Sequence, residues 1–175
     1  MKSSGFTLIE LMVVITIMLL LVGGAMAGFI TFSERREIQE SARQVQQMFV
    51  LAQQKASVRE VPTSCLNNNP LRAYRVIISS TTPRTASLIG ICVDNSIPSP
   101  FPHPKPVSAS YTYETLETLT LPNSVTVEPD GTFVDFYTLE GGAEPAQTYI
   151  FTGAEDYEFS IDAGGGVSNV ELQTP

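Results

Sequence analysis

The sequence predicts an α+β protein in which one long N-terminal helix packs on an antiparallel β-sheet head. Residues 11–33 carry no charged side chain and are almost entirely aliphatic. Apolar residues then recur at helical spacing to about Arg59. From Pro62 onward the apolar period falls to two, between turn-forming residues. A helix that is apolar in its first half and amphipathic in its second half therefore precedes a domain of short strands.

The composition limits the partners of this chain. Its 175 residues suggest one domain with an appendage, and its formal net charge is −8. Residues 1–105 hold ten basic and six acidic side chains, whereas residues 106–175 hold twelve acidic ones and no Lys or Arg. Because such a C-terminal region would repel phosphates, we expect no nucleic-acid partner. His103 is the only histidine, which excludes a His-rich metal site.

The apolar segment is long enough to cross a bilayer. A helix of about 23 residues rises about 35 Å, against a hydrocarbon core of ~30 Å. One interpretation is an ordinary secretory signal cleaved after the A-x-A sequence Ala25-Met26-Ala27. A second is a plain single-pass anchor. Neither gives a purpose to Glu10, a carboxylate at the start of the apolar run.

The segment GFTLIELMVV, from Gly5 to Val14, offers a third interpretation. It resembles the N-terminal motif of type IV prepilins and type II secretion pseudopilins at every diagnostic position. The resemblance implies that a prepilin peptidase removes a leader of residues 1–5 by cutting between Gly5 and Phe6. It also implies N-methylation of Phe6, assembly through Glu10, and retention of the span in the mature protein.

The resemblance further implies which partners the chain binds, where in the cell it is located and what role it has. We expect contacts with the cytoplasmic (inner) membrane and with other pilin or pseudopilin subunits, and a head outside that membrane. The implied role is that of a structural subunit of an extracytoplasmic helical filament, either a type IV pilus or a type II secretion pseudopilus. The alternative is a secreted or membrane-anchored β-domain that binds a ligand and has an ordinary signal sequence.

Glu10 can also be interpreted from physical chemistry alone. A carboxylate inside an apolar span needs a cation, and the α-amino group released at Phe6 is the candidate. In a bundle of packed helices a neighbour's amine can reach the same carboxylate and fix the axial register. The alternative is an interfacial glutamate solvated by lipid headgroups.

One feature departs from many major pilins, which carry a proline near the middle of this helix. Here that neighbourhood contains Gly23, Gly24 and Gly28. The glycines can supply a comparable weak spot, or they can be close-packing surfaces between helices. The missing proline favours a pseudopilin or minor pilin over a major one.

The second half of the helix, residues 34–61, is predicted to dock on the head. Its apolar stripe consists of Ile38, Ala42, Val45, Phe49, Ala52 and Ala56. A coiled-coil partner is the alternative, but the stripe is short and rich in alanine. This division gives a leader at 1–5, a transmembrane half at 6–33, an amphipathic half at 34–61 and a β head at 62–175.

The head is expected to contain about eight short antiparallel strands, covered on one face by the helix. The first two form a hairpin, and the prolines at alternate positions from 98 to 106 form an extended loop. The predicted strands are 72–80, 85–93, 117–121, 124–128, 132–138, 147–152, 157–162 and 167–172. The architecture is similar to that of the GspH/FimT-like branch of minor pseudopilins.

Cys65 and Cys92 are the only cysteines. Because the motif places the head in an oxidising compartment, the pair is expected to form a disulfide. Two reduced, buried cysteines are the alternative.

No catalytic residue, metal site or cofactor is predicted, and the chain is not expected to be an enzyme. The acidic residues Asp130, Asp135, Glu155, Asp156, Glu158 and Asp162 raise the alternatives of a calcium site or a pair of hydrolytic carboxylates. No calcium-loop sequence is present, however, and alternating acids on a strand usually mark its solvated face.

Overall fold

A computed structural model describes residues 7–65, 70–79, 81–93, 111–138 and 141–173. Helix α1 runs without interruption over Leu8–Val58, which is 51 residues. It ends at Arg59, whose left-handed backbone lets its N–H donate to the carbonyls of Ala56 and Lys55. The predicted helix and its predicted end are confirmed.

Nine strands follow the helix in the described part of the chain and form two antiparallel sheets. The five-stranded sheet has the order β3-β2-β1-β5-β6, and the four-stranded sheet has the order β4-β7-β8-β9. The strands are β1 (Leu71–Ile78), β2 (Thr85–Val93), β3 (Tyr111–Thr120), β4 (Thr126–Glu128), β5 (Phe133–Tyr137), β6 (Ala143–Glu144), β7 (Gln147–Thr152), β8 (Tyr157–Ile161) and β9 (Glu171–Leu172).

The hydrophobic core lies between the second half of α1 and both sheets. All six residues of the predicted apolar stripe are buried, and Ser41 and Met48 are buried beside them. Phe49 is the centre of this core. Its ring lies 6.3 Å from that of Phe136 on β5, and 5.2 and 5.6 Å from those of Tyr149 on β7 and Phe159 on β8. One helix therefore joins the two sheets into a single head.

Most strand predictions are confirmed, and three need correction. The strand predicted at 117–121 begins six residues earlier, at Tyr111. The strand predicted at 167–172 is only Glu171–Leu172, preceded by an isolated bridge between Val167 and Ile161. The short strand Ala143–Glu144 was not predicted. The predicted proline loop lies outside the described residues.

Candidate functional site: the exposed half of the N-terminal helix

The apolar half of α1 is capped at its start by the residue next to the predicted cleavage site. Thr7 has an extended backbone, and its side-chain oxygen accepts a hydrogen bond from the backbone N–H of Glu10, 3.3 Å away. Threonine at an N-cap satisfies a helix N–H that would otherwise lack a partner. The spacing of Thr7 and Glu10 is that of a capping box, a signal that the sequence analysis missed.

Glu10 lies in the first turn of α1 and is exposed. A carboxylate there interacts favourably with the positive end of the helix dipole. Gly5 and Phe6, the residues expected to be cut and methylated, lie outside the described residues. The pairing of Glu10 with a Phe6 amine therefore stays a prediction.

Among the described residues, the apolar half makes no burying contact with the head. Every described side chain from Leu8 to Phe32 is exposed, including Leu20 at 73% and Phe29 at 71%. The helix is long and apolar enough to span a membrane. Large exposed apolar surfaces of this kind mark contact with lipid or with other proteins.

Two hydroxyl side chains within this half form hydrogen bonds with the helix backbone. Thr16 donates to the carbonyl of Met12 at 2.8 Å, and Ser33 donates to that of Ile30 at 2.8 Å. Such bonds allow hydroxyls to enter an apolar medium at low cost. These contacts suit a segment that is surrounded by lipid or by other apolar helices.

The three glycines of this half have no packing partner among the described residues outside their own helix. A Cβ atom added at Gly23, Gly24 or Gly28 would meet nothing within 4 Å. Their role, as a weak spot or as a contact between helices, therefore stays a prediction. The alternative signal cleavage site at residues 25–27 lies inside the same continuous helix.

Two polar contacts fix the head at the point where the apolar half ends. Arg35 forms an ion pair with Glu155 at 2.8 Å, and Ser124 donates a hydrogen bond to Glu37 at 2.9 Å. Glu155 and Ser124, the two head residues in these contacts, lie in turns between strands. Ile38, the first buried residue of the apolar stripe, directly follows Glu37 in the sequence. The head therefore begins within a few residues of the end of the predicted span.

A second set of contacts holds the far end of α1. Pro62 lies against Gly90 of β2 so closely that an added Cβ would be 2.7 Å from the proline ring. Beyond it, a short 3-10 helix at Thr63–Cys65 brings Cys65 to Cys92, and the two form a disulfide with a Cα–Cα distance of 5.4 Å. The bridge ties the segment after α1 to the second strand of the hairpin.

Glu114 on β3 completes this junction, and the sequence analysis did not single it out. Its carboxylate accepts hydrogen bonds from the backbone N–H of Ser64 at 2.8 Å and from the hydroxyl of Thr63 at 2.9 Å. These donors stabilise the ionised form and hold the pKa of Glu114 below its ordinary value. The position of this carboxylate depends on the pairing of β3 with β2, which local sequence patterns do not specify.

The acidic residues considered as metal ligands or catalytic carboxylates are dispersed. Asp135 is buried and forms a bidentate pair with Arg75 at 2.6 and 2.8 Å, while Asp162 accepts from the backbone N–H of Gly166. No group of three metal-ligating side chains occurs in the described part of the chain. Asp135 therefore serves an ion pair, and Asp162 serves a turn.

Comparison with known proteins supports the N-terminal motif and nothing beyond it. Residues 1–26 match the family model described as the prokaryotic N-terminal methylation motif. This match is consistent with the type IV prepilins and pseudopilins. No curated protein and no solved structure matches the chain.

Proposed function

We propose that this chain, which begins with a prokaryotic N-terminal methylation motif, is a structural subunit of an extracytoplasmic helical filament. The filament is a type IV pilus or a type II secretion pseudopilus. The observation that carries this proposal is a single helix with two environments. Its second half is buried in the head, whereas its first half, which contains the motif, is exposed on every side.

The two halves of the helix support an assembly mechanism. While the subunit waits in the inner membrane, lipid covers the apolar half and the head lies on the extracytoplasmic side. When the subunit is extracted, other apolar helices take the place of lipid. Since lipid tails are as apolar as leucine side chains, this exchange needs specific packing and polar pairing to favour the bundle.

Glu10 supplies that polar pairing in the proposal. Cleavage before Phe6 by the prepilin peptidase creates a new α-amino group one helical turn from Glu10. A neighbour's Glu10 can neutralise this amine only at one axial offset, which sets the register of the filament. The disulfide between Cys65 and Cys92 fits a head outside the cytoplasm, where oxidised cysteines persist.

Intact mass of the protein from its native host tests the proposal. A chain that begins at Phe6 and carries one added methyl group is expected. A chain that begins at Gly28 would indicate ordinary secretion and would contradict the proposal. The sheared surface fraction should also contain the processed chain, and its absence there would contradict the filament role.

A further inference from the structure

No described residue covers the outer face of the four-stranded sheet, which presents a row of glutamates. Strand register places Glu128 opposite Ile150, Ile150 opposite Glu158, and Glu158 opposite Glu171. The row therefore crosses all four strands. Neighbouring outer positions, such as Thr148 and Ser160, are exposed, while the inner face packs on α1.

In the described part of the chain, this acidic row has no cation of its own. Among the described residues, none of its three glutamates is within ion-pair distance of an Arg or Lys. Glu158 and Glu171 also face each other directly across adjacent strands, an arrangement that is unfavourable for like charges. A sheet face built this way is expected to gain most from a partner that brings positive charge.

The outward face of α1 offers the complementary surface. Arg36 and Arg43 are exposed, and seven residues, or about two turns, place them on one side of the helix. Neither has a carboxylate partner among the described residues, although Arg36 lies over the ring of Phe32 at 4.8 Å. Glu40 lies between them, so this side of the helix carries two cationic side chains and one carboxylate, which accepts from the neutral side-chain amide of Gln44 at 3.1 Å.

The spacings of the two surfaces agree. Seven residues of helix separate Arg36 and Arg43 by ~10.5 Å along the axis. Two strand spacings separate Glu128 from Glu158 by ~9.6 Å. A helix laid across the strands can therefore place one guanidinium near each of these carboxylates.

We propose that the acidic row of one copy of this chain binds the Arg36–Arg43 face of a second copy. This inference rests on the proposed filament function and deepens it by assigning a contact between heads and helices. The two surfaces are different patches on the same molecule, so the contact is heterologous. Contacts of this kind propagate into open helical arrays when the rotation does not close.

Charge reversal in the full chain, expressed in the native host, tests the inference. The row variant carries Glu128→Lys and Glu158→Lys, and the helix variant carries Arg36→Glu and Arg43→Glu. Each alone should be processed and inserted normally, yet sheared filaments should contain about a tenth or less of the wild-type amount, because like charges across an interface suppress association. Glu117→Lys, an exposed reversal on β3, is the matched control and should assemble like wild type.

Recombining the two reversals gives the decisive measurement. A chain that carries both reversals, and a host that expresses the two variants together, should each recover filaments. Normal assembly of either variant alone, or loss that neither combination restores, would overturn the inference. Absence of wild-type protein from the sheared fraction is a different outcome, because it contradicts the filament role and the inference together.

Discussion

At the scale of single residues, the six positions from Gly5 to Glu10 combine three roles. Thr7 caps the helix, Glu10 contributes a charge to its first turn, and the cleavage that we propose lies just before them, within the matched motif. Glu10 is the last charged residue before a stretch of 23 uncharged ones. An ordinary anchor would gain from losing this charge, so its presence needs a functional explanation.

Glu10→Ala separates anchoring from assembly. The variant should be cleaved and inserted as well as wild type, because its span is more apolar. Its filament content should fall severely, since the unpaired Phe6 amine would cost several kcal/mol in an apolar bundle. Leader cleavage, membrane content and sheared filaments are compared in a host that lacks the wild-type copy. Glu34→Ala, beyond the span, is the control, and normal assembly of Glu10→Ala would show that the carboxylate is only interfacial.

A second prediction at the scale of single residues concerns Glu114 and the dependence of thermal stability on pH. Its pKa is lowered by the donors on Ser64 and Thr63, so its contribution to stability is present above its ordinary value of 4.5 and is lost as pH falls through the folded-state value. Glu114→Gln should therefore melt below wild type at neutral pH, and the difference should vanish in acid. Thermal melts of detergent-solubilised protein measure this. Glu117→Gln is the control, and a difference independent of pH would contradict the assigned cause.

At the scale of elements, local patterns predicted the helix and the hairpin well. The period of the stripe fixed which face of α1 is buried, and the predicted strands at Thr85–Val93 and Gln147–Thr152 have the observed bounds. Both strands lie near turn residues, contain β-branched side chains and bury mostly alternate positions. Elements of this kind can be predicted from their local sequence alone.

The division of the head into two sheets could not be predicted in the same way. β1 pairs with β5, some sixty residues away, and β6 has only two residues, so neither pairing leaves a local pattern. The N-terminal part of β3 is exposed and lacks a buried face, which removes the alternation that would reveal a strand. The contacts of Glu114 were not predicted because they depend on the pairing of β3 with β2.

The disulfide is an element-scale device, since it joins the end of α1 to the hairpin. Its sequence separation is 27, and closing such a loop contributes about 3–4 kcal/mol in the chain-entropy model. Cys65→Ser with Cys92→Ser should lower the free energy of unfolding by that amount, measured by denaturant titration in detergent. Wild-type protein treated with a reductant should show the same decrease in the free energy of unfolding. Ser64→Ala keeps the backbone donor to Glu114 and should change little, and an unchanged midpoint in the double variant would contradict the prediction.

At the scale of the whole molecule, charge and hydrophobicity are separated along the chain. The exposed apolar half of α1 precedes the head, and the twelve acids after residue 105 lie in a region without any Lys or Arg. The basic side chains concentrate on and near the helix. This polarity supports head-to-tail contact between copies and opposes binding to nucleic acid.

The whole-molecule prediction is that a fragment beginning at Ser33 is a soluble, acidic monomer. Removing residues 1–32 removes the exposed apolar half, while Ile38, Phe49 and the rest of the buried stripe still pack on both sheets. The charged contact proposed between copies is too weak to hold dimers alone, because exposed ion pairs contribute about 0–1 kcal/mol each. Light scattering after size exclusion measures the mass, and a weak association that salt abolishes is compatible with the prediction. Stable dimers that persist in high salt and bury the stripe of α1 would show that the helix pairs with another helix rather than with its own head.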